Sequence, residues 1–215
     1  MPIVLDDLLT PAELAALREA AAALPWEDGA RTAGTVARTV KQNEQAAPGP
    51  ATQALLDKVQ AALQAHPLFQ AVAYPRAFAR LMATRTRGNG HYGPHVDNAL
   101  IAGARADVSL TLFLSAPDTY EGGALVIADR VEERAFKLPA GSAVVYPATT
   151  LHHVQPVTDG TRLVVVGWVQ SWVRDPAQRE ILFDLWRALA GTDPADEQAR
   201  LLSKTRSNLL RMWAG

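Results

Sequence analysis

The apolar and polar positions divide the chain into a helical start, a β-rich middle and a helical end. Near the N-terminus, Leu14, Leu17, Ala21 and Leu24 recur at helical spacing, and Pro25 stops the run. Thr10-Pro11-Ala12-Glu13 opens it: threonine can cap, proline suits the first helical position, and Glu13 completes a capping box. Residues 51–65 repeat the pattern through Leu55, Leu56, Val59 and Leu63, ending before Pro67. Between these helices, residues 27–50 are polar and punctuated by Gly and Pro, with a short strand expected around Thr39–Lys41. Both helices are expected to cover a sheet.

From about 77 to 172, short β-rich runs alternate with turn signals: Ala77–Thr84, Val108–Leu114, Ala124–Ile127, Ala135–Leu138, Ala143–Tyr146, His153–Val157 and Arg162–Ser171. No helical pattern of ten or more residues interrupts them, which predicts an antiparallel sandwich or barrel rather than a βαβ array. After Pro176 the chain is helical again. Ile181, Leu182, Leu185 and Leu189 form one stripe, and Leu201, Leu202, Leu209, Leu210 and Trp213 form another beyond Gly191-Thr-Asp-Pro194. The expected organisation is therefore 1–76 as covering helices and strand, 77–172 as the β core, and 173–215 as a helical tail. That tail is a candidate either for packing on its own barrel or for homodimer contact.

Composition narrows the chemistry. A chain of 215 residues with 48% hydrophobic and 20% charged content suits one globular domain. A net charge of −1 without charge blocks gives no reason to expect nucleic acid or a membrane surface as partner. Cysteine is absent, so disulfides, thiolate metal sites and cysteine nucleophiles are excluded, and any metal must rest on His, Asp and Glu. The start MPIVLDDLLTPAEL has no basic region followed by a long apolar one, which makes the cytoplasm the expected location.

One stretch admits two chemistries. In GNGHYGPHVDN, residues 88–98, the first six letters spell G-x-G-x-x-G, a dinucleotide-binding signature, while His95-Val-Asp97 is an H-x-D pair. A dinucleotide fold needs these glycines to turn a strand into a helix. Here Pro94 follows, no helical period begins, and the next clear element is the strand from Val108. The glycines are better explained as a loop between strands. His95 and Asp97, two apart on extended chain, leave one face and can converge on an ion. A third ligand is available in His152, with His153 beside it facing the other way as a rim or surface residue.

Arg162 stands ten residues past His152, across Thr158-Asp159-Gly160. A two-residue hairpin would set residue 152 opposite 167 and turn Arg162 away. A three-residue loop with Gly160 in the left-handed position would set 152 opposite 166 and bring Arg162 to the same face. The second is preferred because it gathers His95, Asp97, His152 and Arg162 in one barrel. Two histidines and a carboxylate on one face of a metal leave open positions for a chelating 2-oxo acid and O2, as in non-haem Fe(II) oxygenases. A guanidinium at some distance can take the acid's far carboxylate as a bidentate pair. His91 and His66 are expected in a loop and at a helix end, and the Arg130–Arg134 cluster in a solvated turn. Tyr92, Tyr146 and Trp168 are core or pocket residues, and Asn98 shapes the loop or meets substrate.

These motifs resemble the Fe(II)/2-oxoglutarate-dependent oxygenases, most closely the bacterial PKHD-type hydroxylases related to prolyl and lysyl hydroxylases. The resemblance runs through Val40-Lys-Gln-Asn-Glu-Gln45, Tyr92-Gly-Pro-His-Val-Asp-Asn-Ala99, Tyr120-Glu-Gly-Gly-Ala-Leu-Val-Ile127 and Leu138-Pro-Ala-Gly141. It continues through Tyr146-Pro-Ala-Thr-Thr-Leu-His152, Pro156-Val-Thr-Asp-Gly-Thr-Arg162, Trp168-Val-Gln-Ser171 and Gln178-Arg-Glu-Ile-Leu-Phe-Asp184. It implies a double-stranded β-helix (jelly roll) with flanking helices. It also implies Fe(II) on His95, Asp97 and His152, and 2-oxoglutarate on Arg162. The implied reaction hydroxylates an unidentified small-molecule or peptide substrate with O2, releasing succinate and CO2, and L-ascorbate is a candidate accessory. Two departures stand out: Thr86 sits where relatives commonly carry a tyrosine near the co-substrate, and His153 where they often have arginine. A cupin-like metal protein without 2-oxoglutarate stays open, although no H-x-H pair is present. So does a non-catalytic iron and 2-oxoglutarate sensor.

Overall fold

The computed structural model of the chain describes residues 1–32, 40–128 and 131–215. Its strands are β1 (Ile3–Leu5), β2 (Trp26–Asp28), β3 (Lys41–Gln42), β4 (Glu44–Ala46), β5 (Pro75–Thr86), β6 (His91–His95), β7 (Leu100–Ile101) and β8 (Ala104–Arg105). They continue with β9 (Val108–Phe113), β10 (Tyr120–Gly122), β11 (Leu125–Ala128), β12 (Glu133–Phe136), β13 (Ala143–Pro147), β14 (His152–Val154), β15 (Val157–Gly160) and β16 (Arg162–Ser171). The helices are α1 (Pro11–Ala22), α2 (Pro50–Ala65), α3 (Pro67–Ala73), α4 (Pro176–Ala190) and α5 (Glu197–Trp213).

A seven-stranded sheet, β1-β13-β9-β16-β5-β4-β2, faces a five-stranded one, β12-β11-β14-β6-β3, as the expected jelly roll. Period-two alternation explains how one strand serves two layers. On β9, Val108, Leu110 and Leu112 join Ala143, Val145 and Val165 in a core beneath Leu17, Leu55, Val59 and Leu63 of the covering helices. The alternate positions Phe113, Val144, Tyr146 and Val164 turn inward to meet Leu125, Ile127 and Phe136 of the smaller sheet. Each fully buried aliphatic side chain contributes about 1.5–3 kcal/mol, so this two-sided burial fixes which face of the large sheet looks into the barrel.

The capping box forms as expected: Thr10 Oγ1 accepts from the Glu13 amide, and Glu13 Oε2 accepts from the Thr10 amide at 2.9 Å. Thr39 lies outside the described residues, and the strand expected there begins at Lys41. Arg130 also lies outside them, while Glu133 and Arg134 pair in β12 rather than forming a turn. His91 is the first residue of β6, not a loop residue. On α4 the buried face is Arg179, Leu182 and Phe183, with Ile181 exposed. Arg179 sets that rotation by donating to the carbonyls of Val173, Arg174 and Asp107. Leu209, Leu210 and Trp213 pack on Tyr74, Val173 and Leu182, so part of the tail's apolar stripe rests on its own barrel.

The hairpin expected across Thr158-Asp159-Gly160 is not formed. His152 pairs with Ile127 and His95 in the small sheet, while Val166 pairs with Met82 and Thr111 in the large one. Between them β15 pairs with β10, Gly160 opposite Tyr120. A tight hairpin would have kept both strands in one sheet; the jelly roll uses residues 155–161 to cross from one to the other. Arg162 nonetheless faces inward, because its parity within β16 is that of Val164, Val166 and Trp168.

Candidate metal and co-substrate site

His95 closes β6 and His152 opens β14, and the two are direct partners in the small-sheet ladder. Asp97 follows the end of β6 rather than continuing it as extended strand. Its carboxylate nevertheless returns to the histidines: Oδ1 lies 4.0 Å from His95 Nε2 and Oδ2 lies 3.8 Å from His152 Nε2. One ligand atom from each residue falls within 4.8 Å of the others. His95 Nδ1 lies 2.8 Å from the Gly93 carbonyl and His152 Nδ1 lies 2.9 Å from that of Thr150. A carbonyl only accepts, so both Nδ1 atoms carry the proton and both Nε2 lone pairs are free for a cation. Ser109 donates to Asp97 Oδ2 at 2.6 Å and holds the carboxylate.

The surroundings favour a neutral imidazole at His95. Burial first, then the neighbouring His152, pushes the His95 pKa down to about 4. Tyr92 stacks on the His95 ring at 3.6 Å between centroids. Burial, and behind it the charge of Asp97, raises the Tyr92 pKa to about 12, so its phenol keeps its proton. Two histidines with free Nε2 lone pairs and one carboxylate form a donor set suited to a divalent transition metal.

The triad opens into a cavity of about 280 Å³ that Arg162 also lines. Arg162 is only 3% exposed, and among the described residues its Nε and Nη2 are buried without a hydrogen-bond partner, as is the hydroxyl of Tyr120. Its guanidinium lies over the Phe113 ring at 5.3 Å, and Thr86 is its partner across the ladder. Burial of an unneutralised guanidinium pulls its pKa below the ordinary arginine range. A buried fork donor with unfilled valences fits a carboxylate. Thr86, buried beside it, presents a short hydroxyl and leaves room in the cavity.

All four residues singled out in the sequence thus border one cavity. His66 caps a helix end, and His153 and His91 are not among the lining residues. Tyr92, Tyr146, Asn98 and Trp168 do line the cavity. Sequence reasoning overlooked Lys41, Arg80 and Ser109. The last two carried a signal, since Arg80 shares the strand parity of Thr84 and Thr86, and Ser109 is a polar break in an otherwise apolar β9.

Residues 81–170 match the family model described as the 2OG-Fe(II) oxygenase superfamily. A PKHD-type hydroxylase of Acaryochloris marina is 46% identical over 218 residues, covering 100% of both chains. Another, of Maricaulis maris, is 50% identical over 190 residues and 87% of each chain. Among solved structures, a Pseudomonas putida prolyl-4-hydroxylase superposes with a TM-score of 0.53 at 21% identity, over 79% of this chain and 92% of that one, and so shares the fold. An oxidoreductase of the same oxygenase family from Burkholderia pseudomallei does so with a TM-score of 0.56 at 18% identity, over 78% and 82%. By its full-length relatives and its oxygenase core, the chain belongs to the PKHD-type hydroxylases, dioxygenases that use Fe(II) and 2-oxoglutarate.

Proposed function

We propose that His95, Asp97 and His152 hold the Fe(II) and that Arg162 binds the distal carboxylate of 2-oxoglutarate. The observation that carries this reading is the convergence of three ligand atoms within 4.8 Å in a cavity also lined by the buried Arg162, whose Nε and Nη2 have no hydrogen-bond partner among the described residues. The metal supplies the coupling of O2 reduction to oxidative decarboxylation of the co-substrate, giving succinate and CO2 and hydroxylating a C–H bond. The chain's own residues do the rest. Gly93 and Thr150 carbonyls fix both imidazole tautomers, and Ser109 aims the carboxylate. The Arg162 charge positions the diacid along the β16 wall, with the Thr86 hydroxyl within the same end of the cavity. Tyr92, Tyr146 and Val166 line the chamber and limit water at the reacting centre. The functional unit in this reading is the β core of residues 77–172, with the N-terminal strand β3 closing one edge.

The test is an anaerobic titration of apoprotein with Fe(II) and 2-oxoglutarate, read by the visible metal-to-ligand charge-transfer band. Wild type gives the band, Arg162→Ala weakens it and Asp97→Ala abolishes it. Metal bound without any band in the wild type overturns the co-substrate assignment.

A further inference from the structure

The cavity has a second cationic end. Along the β5·β16 ladder the inward row is Thr86 with Arg162, Thr84 with Val164, Met82 with Val166 and Arg80 with Trp168. Arg162 and Trp168 are six residues apart on one strand, so the two ends are separated by about 20 Å along the ladder. In the reading proposed above, a diacid anchored at Arg162 and chelating at the triad has no carboxylate left for the far end. Yet that end is built for one.

Lys41 comes from the opposite sheet, where β3 pairs with β6, and it is only 8% exposed. Its Nζ lies 5.2 Å over the Tyr92 ring, which in turn stacks on His95. Among the described residues, no carboxylate lies within ion-pair distance of Lys41 or Arg80, and neither side chain donates a hydrogen bond. Asp28 and Asp97 attract Lys41 only at longer range, whereas Arg80 repels it. Asp97 is in any case engaged by Ser109 and the metal site. The indole N–H of Trp168, the ladder partner of Arg80, is likewise buried without an acceptor among the described residues. The buried Lys41 ammonium and the Trp168 N–H, with the exposed Arg80 guanidinium at their edge, give this end of the chamber a donor set that an anion would complete. Beside them the β7–β8 hairpin contributes Leu100 and Ile101, with Leu100 exposed to 68%.

We propose that this end is the substrate subsite, in which Lys41 and Arg80 bind a carboxylate while Leu100, Ile101 and Trp168 hold an apolar segment next to it. The substrate is then an amphiphilic carboxylic acid or the C-terminus of a peptide ending in apolar residues. Its carboxylate is held at the mouth and an apolar C–H is presented to the metal. This deepens the proposed assignment of the triad and Arg162 and rests on it.

The experiment uses the full chain loaded anaerobically with Fe(II) and saturating 2-oxoglutarate, with the charge-transfer band recorded before any probe is added. Hexanoate and hexanamide form one probe pair. N-acetyl-Ala-Leu-Val with a free or an amidated C-terminus forms the other. Affinity is read by calorimetry, and displacement at the metal by the shift of the band. The carboxylate of at least one pair is expected to bind about tenfold or more tighter than its amide, as a charge-assisted contact requires. A tighter free acid assigns a small carboxylic acid, and a tighter peptide assigns a C-terminus. Lys41→Gln with Arg80→Gln is expected to bring acid and amide within about twofold of each other. Arg80→Gln alone lies at an exposed position, tolerates substitution, and is expected to remove part of the preference. Equal binding, no binding by either member of both pairs, or a preference that survives the double variant overturns the subsite. Absence of the band before probe addition overturns instead the co-substrate assignment beneath it.

Discussion

Arg162→Met separates the cost of the proposed co-substrate anchor from its use. The guanidinium is 3% exposed, and two of its nitrogens lack partners among the described residues. Replacing buried ionic groups with apolar side chains of similar volume is neutral or stabilising by up to about 4 kcal/mol, and a poorly compensated guanidinium is expected to follow that sign. The change forfeits the contact with the Phe113 ring at 5.3 Å, worth up to about 2 kcal/mol when desolvated. Taken at midrange, about 2 against about 1, the two leave a net gain of about 1 kcal/mol in the apoprotein. For a chain of this length that is a rise in Tm of roughly 2–4 °C. With Mn(II) in place of Fe(II) to prevent turnover, 2-oxoglutarate at a hundredfold over its Kd should stabilise the wild type by about 2.7 kcal/mol. The variant should gain nothing from 2-oxoglutarate beyond what Mn(II) alone provides. The order of melting temperatures therefore reverses on adding the diacid. Thermal unfolding followed by circular dichroism, with and without Mn(II) and 2-oxoglutarate, measures both terms. An apo variant that melts below wild type, or an equal 2-oxoglutarate shift in the two proteins, refutes the reasoning.

Three further outcomes are expected. Ser109→Ala frees the Asp97 carboxylate and should weaken metal binding by about 10- to 100-fold, measured by Mn(II) calorimetry, with little change in Tm. Gly123→Ala places a Cβ 2.8 Å from Val157 Cγ2 and 3.1 Å from Arg162 Cδ, at a φ of +66° that disfavours any side chain. It should cost about 1–3 kcal/mol in urea unfolding and lower 2-oxoglutarate affinity, whereas unchanged affinity would mean that Arg162 is not displaced. Glu44 accepts from Arg85 at 2.7 Å and Arg87 at 3.0 Å, and these contacts hold its carboxyl below the usual carboxylate range. A depressed folded pKa stabilises above the unfolded value and is lost as pH falls through the folded one. Glu44→Gln should therefore cost up to about 1 kcal/mol at pH 7, and the difference should close below pH 4 in acid unfolding. A pH-independent difference would assign the effect to packing.

Local pattern alone determined much of this protein. The capped first helix, the β-rich middle and Arg162–Ser171 as one strand follow from residue spacing, because each depends on neighbours within a few positions. So does the candidate triad: H-x-D is a short-range motif, and its partner histidine lies in a β-rich run. What spacing could not decide is which strands pair. The turn at 158–160 satisfies hairpin chemistry, yet its flanks join different sheets, because burying both faces of the large sheet outweighs a local turn preference. Arg162 reaches the cavity by strand parity within β16, not by the hairpin register that sequence alone favoured. Lys41, Arg80 and Ser109 show the same limit. Each is an ordinary polar residue until antiparallel pairing from β3, β5 and β9 brings it to one chamber. Whether a charge is solvated or stranded is a property of what surrounds it, and only the assembled barrel determines those surroundings.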